Sequence, residues 1–429
     1  MLKKIQEIAK SKFIRNVVIV ATGTAGAQAI SMAFSPVITR LYGPEAFGLL
    51  GTFMAILAVV TPIAALSYPI AIVLPKSDQD AVGIAKLSAF LSFTMAVLLT
   101  VILLLFRHTI SDLLNLKDIA HFLLLIPAAM LFSAFYQILQ QWLIRKKQFK
   151  VTAKAAIIQS ISLNIAKVGI GCFHPVALVL IVLATVANLL HAFLLWLGIR
   201  KQPNSLPSKT YKEKSSHIKG IALKYQDFPL FRAPQVAINA LSQSLPVLML
   251  ASFFGPASAG FYTLGKTVMG IPTTLIGKSV GDVFYPRLTE ASHNQESLFR
   301  LILKATLALA AVGFFPYAAV VAFGPWLFSF IFGPEWVIAG EYARWMAVWL
   351  YFGFLNRPSV AAIATLSMQD AFLVYEIISI LLRCAALYTG FVLFSDEVLA
   401  VLLFSSVGVV LNFSLVLYTL IKSRKINFE

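Results

Sequence analysis

Eight ionisable side chains interrupt runs of sequence that are otherwise apolar: Lys167, Arg232, Lys266, Lys278, Arg357 and Arg383, with the acids Asp282 and Glu376. A charge at the centre of a membrane helix costs roughly 2.5–3.5 kcal/mol. Six cations facing hydrocarbon would cost on the order of 15 kcal/mol or more. They must face a wet cavity, meet a partner or snorkel to a membrane surface. Cations outnumber acids, so internal pairing cannot neutralise them all. The excess points to a cavity that receives an anion. Arginine can hold a phosphate bidentately, and lysine acts as a point charge. Each residue also has a structural reading. Lys278 and Asp282 are one turn apart and could pair. Glu376 and Arg383 share a face two turns apart and could form a network. Arg232 and Lys266 lie near span ends and could snorkel. Arg357 sits mid-span in Asn356-Arg357-Pro358-Ser359, where Pro358 frees a backbone carbonyl. Asp282 and Glu376 are also the acids that could carry a coupling proton, although each has a basic neighbour.

No enzymatic constellation accompanies them. There is no Gly-rich phosphate loop, no HExxH and no local Ser/His/Asp signature. Four of six histidines fall in loops or at span ends, and His191, near the sixth span, reads as structural. Cys172 and Cys384 lie far apart in apolar runs, so no disulfide framework and no metal site is indicated. No cofactor is implied.

The elements that must position these charges are membrane helices. The 429 residues are 59% hydrophobic and 12% charged, with a mean hydropathy of +0.84. Soluble domains carry about 25% charged residues. The net charge of +17 could suggest nucleic acid, but in a membrane protein it reads as the Lys/Arg excess of cytoplasmic loops. The six Trp and thirteen Tyr are candidates for interfacial belts.

Twelve spans are expected. The first six cover about 13–41, 47–74, 81–106, 119–144, 151–173 and 175–199. The second six cover about 228–254, 259–285, 301–323, 342–366, 370–394 and 398–421. Residues 1–12 read as a short interfacial helix rather than a cleaved leader. Residues 200–224 read as a basic cytoplasmic linker. The segment 324–341, with Gly333-Pro334, reads as irregular. The expected domains are a six-helix bundle at 1–199, the linker, and a six-helix bundle at 225–429.

A repeat supports that division. Tyr42-Gly43-Pro44-Glu45-Ala46-Phe47-Gly48 returns 212 residues later as Phe254-Gly255-Pro256-Ala257-Ser258-Ala259-Gly260. Lys167 and Arg383 fall near equivalent places in the two halves, which favours a shared cavity. With both termini inside, the cytoplasmic segments collect nearly all the basic residues, and the outer ones hold little beyond Arg40, Arg107, Lys117 and Arg344. Even numbers of spans per half make the repeats parallel, related by an axis along the membrane normal.

The order of these features resembles the Wzx-type polysaccharide and O-antigen flippases, a branch of the multidrug/oligosaccharidyl-lipid/polysaccharide exporter superfamily. The resemblance is carried by Leu41 to Gly48, Tyr68-Pro69-Ile70-Ala71-Ile72-Val73-Leu74-Pro75, Tyr225 to Phe231, Leu245-Pro246, Phe253 to Tyr262, and Phe284-Tyr285-Pro286-Arg287-Leu288. It implies an all-α, MATE- and MurJ-like integral membrane fold in the bacterial inner membrane. It implies a flippase moving undecaprenyl-diphosphate-linked oligosaccharide to the periplasmic leaflet by alternating access, for O-antigen, capsule or exopolysaccharide assembly. Partners implied are the lipid-linked substrate, the bilayer, a polysaccharide polymerase and glycosyltransferases. Relatives that flip peptidoglycan precursor carry arginines in the first hairpin; here the first two spans have none at their centres. Two other readings stay open: a multidrug or cation antiporter of the same superfamily, which would want an acidic cavity, and a membrane glycan polymerase or ligase, which would want a large outer loop.

Overall fold

The computed structural model describes residues 12–113, 115, 117–201, 218–363, 365–366 and 368–426, without the side chains of 12–18, 20–21, 113, 218–219, 271–283, 285–286, 289, 293 and 425–426. The interfacial helix expected at 1–12 and most of the linker therefore lie outside the described residues, as do the side chains of Lys278 and Asp282. The described chain is helical throughout, with no strand. A bilayer demands this, because each backbone polar group must be satisfied within its own segment. Eight of the described helices are long and apolar enough to cross a membrane.

The chain divides into two compact units, Met1–Leu248 and Met249–Glu429. The first contains α1 (Lys12–Ala64), the short α2 (Tyr68–Ala71), α3 (Asp78–Leu113), α4 (Ile126–Arg145), α5 (Phe149–Gly171), α6 (Ala177–Arg200) and the linker helix α7 (Ile218–Lys224). Helix α8 (Ala233–Phe254) carries the chain across the division. The second contains α9 (Pro256–His293), α10 (Leu298–Phe332), α11 (Val337–Leu355), α12 (Arg357–Ala362), α13 (Gln369–Thr389) and α14 (Glu397–Ile426). The expected boundary lay in the linker; the compact units part instead inside α8.

Three Gly-Pro dipeptides turn the chain in one way. Gly43 has φ 68° and ψ 173°, Gly255 has φ 91° and ψ 177°, and Gly333 has φ 120° and ψ 162°. A residue before proline is driven to extended ψ, and positive φ is open to glycine at little cost. Together these conditions select glycine. The turn at Gly43 breaks α1 into the two arms expected from the sequence.

The second arm then stops at Leu66 and Ser67, both at positive φ, and Pro69 sits in the first turn of α2. The Tyr68 hydroxyl donates to the Ala222 carbonyl at 3.1 Å, so the linker helix docks against the end of this arm. Ile221 joins Ile72, Ile84, Leu143 and Leu195 in the core of the first unit. Beside it, Arg145 at the end of α4 reaches the carbonyls of Ile72 at 3.4 Å, Pro75 at 2.5 Å and Lys76 at 3.2 Å. Its Nε donates to Asp78 Oδ1 at 3.1 Å, and Lys146 pairs with the other oxygen of Asp78. One guanidinium thus ties the chain between α2 and α3 to the end of α4.

In the second unit, the segment expected to be irregular from 324 is helical to Phe332, with Pro325 inside α10. The reason is tertiary. A Cβ on Gly324 would lie 2.7 Å from the Gly340 carbonyl oxygen, and one on Gly340 would lie 2.5 Å from Gly324 O. The paired glycines let α10 and α11 touch backbone to backbone, and that packing holds the helix through Pro325.

Candidate functional site

Helix α13 presents Arg383 to the best-built cationic site among the described residues. Its Nε donates to the Ser379 carbonyl one turn back at 3.0 Å, which fixes the start of the guanidinium plane. The guanidinium carbon lies 5.5 Å from the ring centre of Trp349 on α11 and 5.8 Å from that of Phe404 on α14. Those rings meet edge to face at 5.2 Å. Gly408 makes room for the indole, since a Cβ there would be 2.4 Å from Trp349 Cδ1. The ring quadrupoles stabilise the cation without neutralising it. No carboxylate lies within ion-pair distance of Arg383 among the described residues.

Two charges act on it through space. Lys266 on α9 repels it, and Glu376, two turns earlier on α13, attracts it. Lys266, Arg383 and Glu376 are all half-buried. Tyr262, one turn before Lys266, is buried and meets Phe404 edge to face at 6.4 Å. The network expected between Glu376 and Arg383 is present as this longer-range attraction and not as a contact pair. Lys266 joins it from a helix 117 residues away in sequence.

Arg357 stands on a separate device in the same unit. The chain breaks between α11 and α12 at Asn356, with Pro358 in the first turn of α12. Asn356 is buried and donates from Nδ2 to Asn412 Oδ1 at 3.1 Å. Asn356 Oδ1 and Ser359 Oγ are buried without a hydrogen-bond partner. Arg357 itself is exposed, and its electrostatic neighbour is Tyr317 on α10. The locus is polar, and the backbone at Asn356 stays in the right-handed helical region, with φ −76° and ψ −10°.

Lys167 belongs to the first unit. It is half-buried on α5, and its carbonyl accepts from the Tyr42 hydroxyl at 2.8 Å. One turn before it, buried Asn164 donates to Ser31 Oγ at 3.2 Å and to the Ser160 carbonyl at 2.7 Å. Arg232 is exposed and donates to Gln235 Oε1 at 3.0 Å. Lys278 and Asp282 lie on α9 with their side chains outside the described residues.

Residues that sequence reasoning did not single out complete these sites: Trp349, Phe404 and Gly408 around Arg383, and Asn412 behind Asn356. His191 is buried, with its ring 4.5 Å from that of Tyr136 and its Nε2 unpartnered, in keeping with a packed position. Near the end of α9, Arg287 forks onto Glu296 at 3.2 and 2.5 Å. That guanidinium holds the Glu296 carboxyl below the usual carboxylate range.

An inward-facing multidrug resistance transporter of the MATE family, in the MOP superfamily, aligns over 97% of this chain and 99% of its own, with TM-score 0.70 and 13% identity. Lipid II flippase MurJ in an inward closed conformation aligns over 96% and 92%, with TM-score 0.69 and 14% identity. A point mutant of the Vibrio cholerae MATE transporter VcmN aligns over 97% and 98%, with TM-score 0.58 and 13% identity. Identities this low establish a shared fold. No curated protein matches the chain by sequence. The family model for polysaccharide biosynthesis proteins matches residues 37–340. A match across most of the chain, on a multi-pass helical fold shared with MOP-superfamily transporters, makes this protein a member of the polysaccharide biosynthesis protein family.

Proposed function

We propose that the protein is a flippase that moves undecaprenyl-diphosphate-linked oligosaccharide from the cytoplasmic to the periplasmic leaflet of the bacterial inner membrane. The observation that carries this reading is Arg383: a guanidinium in a membrane helix, supported by aromatic rings and a carbonyl, beside Lys266 and without a contacting carboxylate among the described residues. Such a group is ready for a diphosphate. Arg357 and Lys167 are further contacts, with Lys278 and Arg232 as accessory cations. The sugars travel in water, because unpaired hydroxyls cannot enter hydrocarbon, and the polyprenyl tail stays in lipid. The chain crosses twelve times in two parallel sets of six, with both termini cytoplasmic. Asp282 or Glu376 carries a coupling proton. Glycosyltransferases work upstream of it and a polysaccharide polymerase downstream.

Deletion and complementation test this. Cells lacking the gene should hold lipid-linked repeat units on the inner leaflet and display no surface glycan. Arg383→Ala and Arg357→Ala should fail to restore export, and the Lys variants should restore it in part. Normal export by both alanine variants would overturn the cationic site. Repeat units accumulating on the outer leaflet would point to a polymerase or ligase instead.

The MATE fold keeps multidrug antiport as the second reading. It predicts efflux of cationic drugs, which a site of excess positive charge disfavours. Drug accumulation in the deletion strain separates the two.

A further inference from the structure

Uncharged polar residues form a second pattern, apart from the cations. In the first arm of α1, Thr24, Gln28 and Ser31 follow one another at four and three residues, the spacing of one helix face. In α8, Gln235, Asn239 and Ser242 do the same, each 211 residues after its counterpart. Thr24, Gln28, Ser31, Gln235 and Asn239 are exposed and Ser242 is half-buried. Both helices are apolar enough to span a membrane. Thr24, Gln28 and Asn239 have no hydrogen-bond partner among the described residues. An unpartnered amide in hydrocarbon is costly, so these faces meet water or a polar ligand.

The α1 face is built rather than incidental. Ser31 Oγ lies 3.0 Å from Ser160 Oγ and accepts from Asn164 Nδ2 at 3.2 Å. Ser160 Oγ in turn donates to the Ala27 carbonyl at 2.8 Å. Asn164 is 3% exposed. A buried carboxamide therefore holds one end of the face and leaves Gln28 and Thr24 free, one and two turns along. On α8, Arg232 occupies Gln235 and leaves Asn239 free one turn further on.

We propose that these two faces bind the sugars of the lipid-linked substrate. Carboxamides and hydroxyls both donate and accept, which suits the vicinal hydroxyls of a sugar. None of the six residues carries charge, so neutralising the diphosphate is left to the cations. Head-group charge and sugar are recognised by different residues, and that division is readable in binding. The inference rests on the flippase reading above.

The test uses the purified full-length protein in nanodiscs and two probes: lipid-linked oligosaccharide extracted from the cells of origin, and undecaprenyl diphosphate without sugar. Gln28→Leu and Asn239→Leu should each weaken binding of the first about tenfold and leave the second unchanged, which also shows that the variants are folded. Ile238→Ala, an exposed apolar neighbour on α8, should change neither. If wild type binds both probes and the leucine variants lose neither, or lose both equally, the faces only hold water and the proposal falls while the flippase reading stands. If wild type binds neither probe, the flippase reading falls and takes the proposal with it.

Discussion

Arg383 is held by rings and a carbonyl rather than by an acid, and this sets how tightly an anion can bind. A carboxylate partner would have to be displaced; an aromatic face stays in place while the terminal nitrogens bond elsewhere. Cation–π support is worth about 0.5–2 kcal/mol, depending on solvation. Trp349→Leu should therefore weaken binding of undecaprenyl diphosphate roughly two- to thirty-fold, and Trp349→Phe should weaken it less, as read by titration in nanodiscs. The cation itself was legible in the sequence, because an arginine in an apolar run demands explanation. Its support was not. Trp349 and Phe404 lie 34 and 21 residues away on either side of it, and nothing in their local spacing marks them as neighbours. The polar faces of α1 and α8 were legible in principle, since their residues repeat at a fixed offset, but uncharged side chains draw less attention than charges.

At the scale of elements, the Gly-Pro turns were the clearest signal, because two local rules converge on one residue. Gly43→Ala, Gly255→Ala and Gly333→Ala should each destabilise the protein by about 1–3 kcal/mol through backbone strain. Gly169→Ala lies on α5 with no neighbouring atom in the way and should leave the thermal unfolding midpoint unchanged or slightly raised. Equal losses at all four positions would remove the conformational explanation. The same dipeptide misleads at Gly324-Pro325, where contact with Gly340 keeps the helix intact; local punctuation cannot report a partner sixteen residues away. The Arg145 clasp was also invisible, since three of its acceptors are backbone carbonyls. Arg145→Ala should cost about 2–3 kcal/mol in detergent unfolding, below the ~3–5 kcal/mol of a fully buried pair because Asp78 keeps some contact with water. Arg145→Lys should recover little, since an ammonium cannot span all four acceptors.

For the molecule as a whole, the proposed twelve crossings place Lys147 inside the cell and His174 and Asp396 outside it. In a background lacking Cys172 and Cys384, Lys147→Cys should react with impermeant maleimide only after the membrane is opened. His174→Cys and Asp396→Cys should react in intact cells. Labelling on the opposite side at any of the three would overturn the topology. The clasp also bears on how such a chain can change over generations. Any amino acid offers a carbonyl oxygen, so the exposed position 76 is free to vary without loosening the knot, whereas only arginine brings a forked donor to position 145 and Ile72 is held by the core around it. Saturation mutagenesis should therefore find position 145 intolerant and position 76 permissive, although both meet in one hydrogen bond, an imbalance that the charges alone would never disclose.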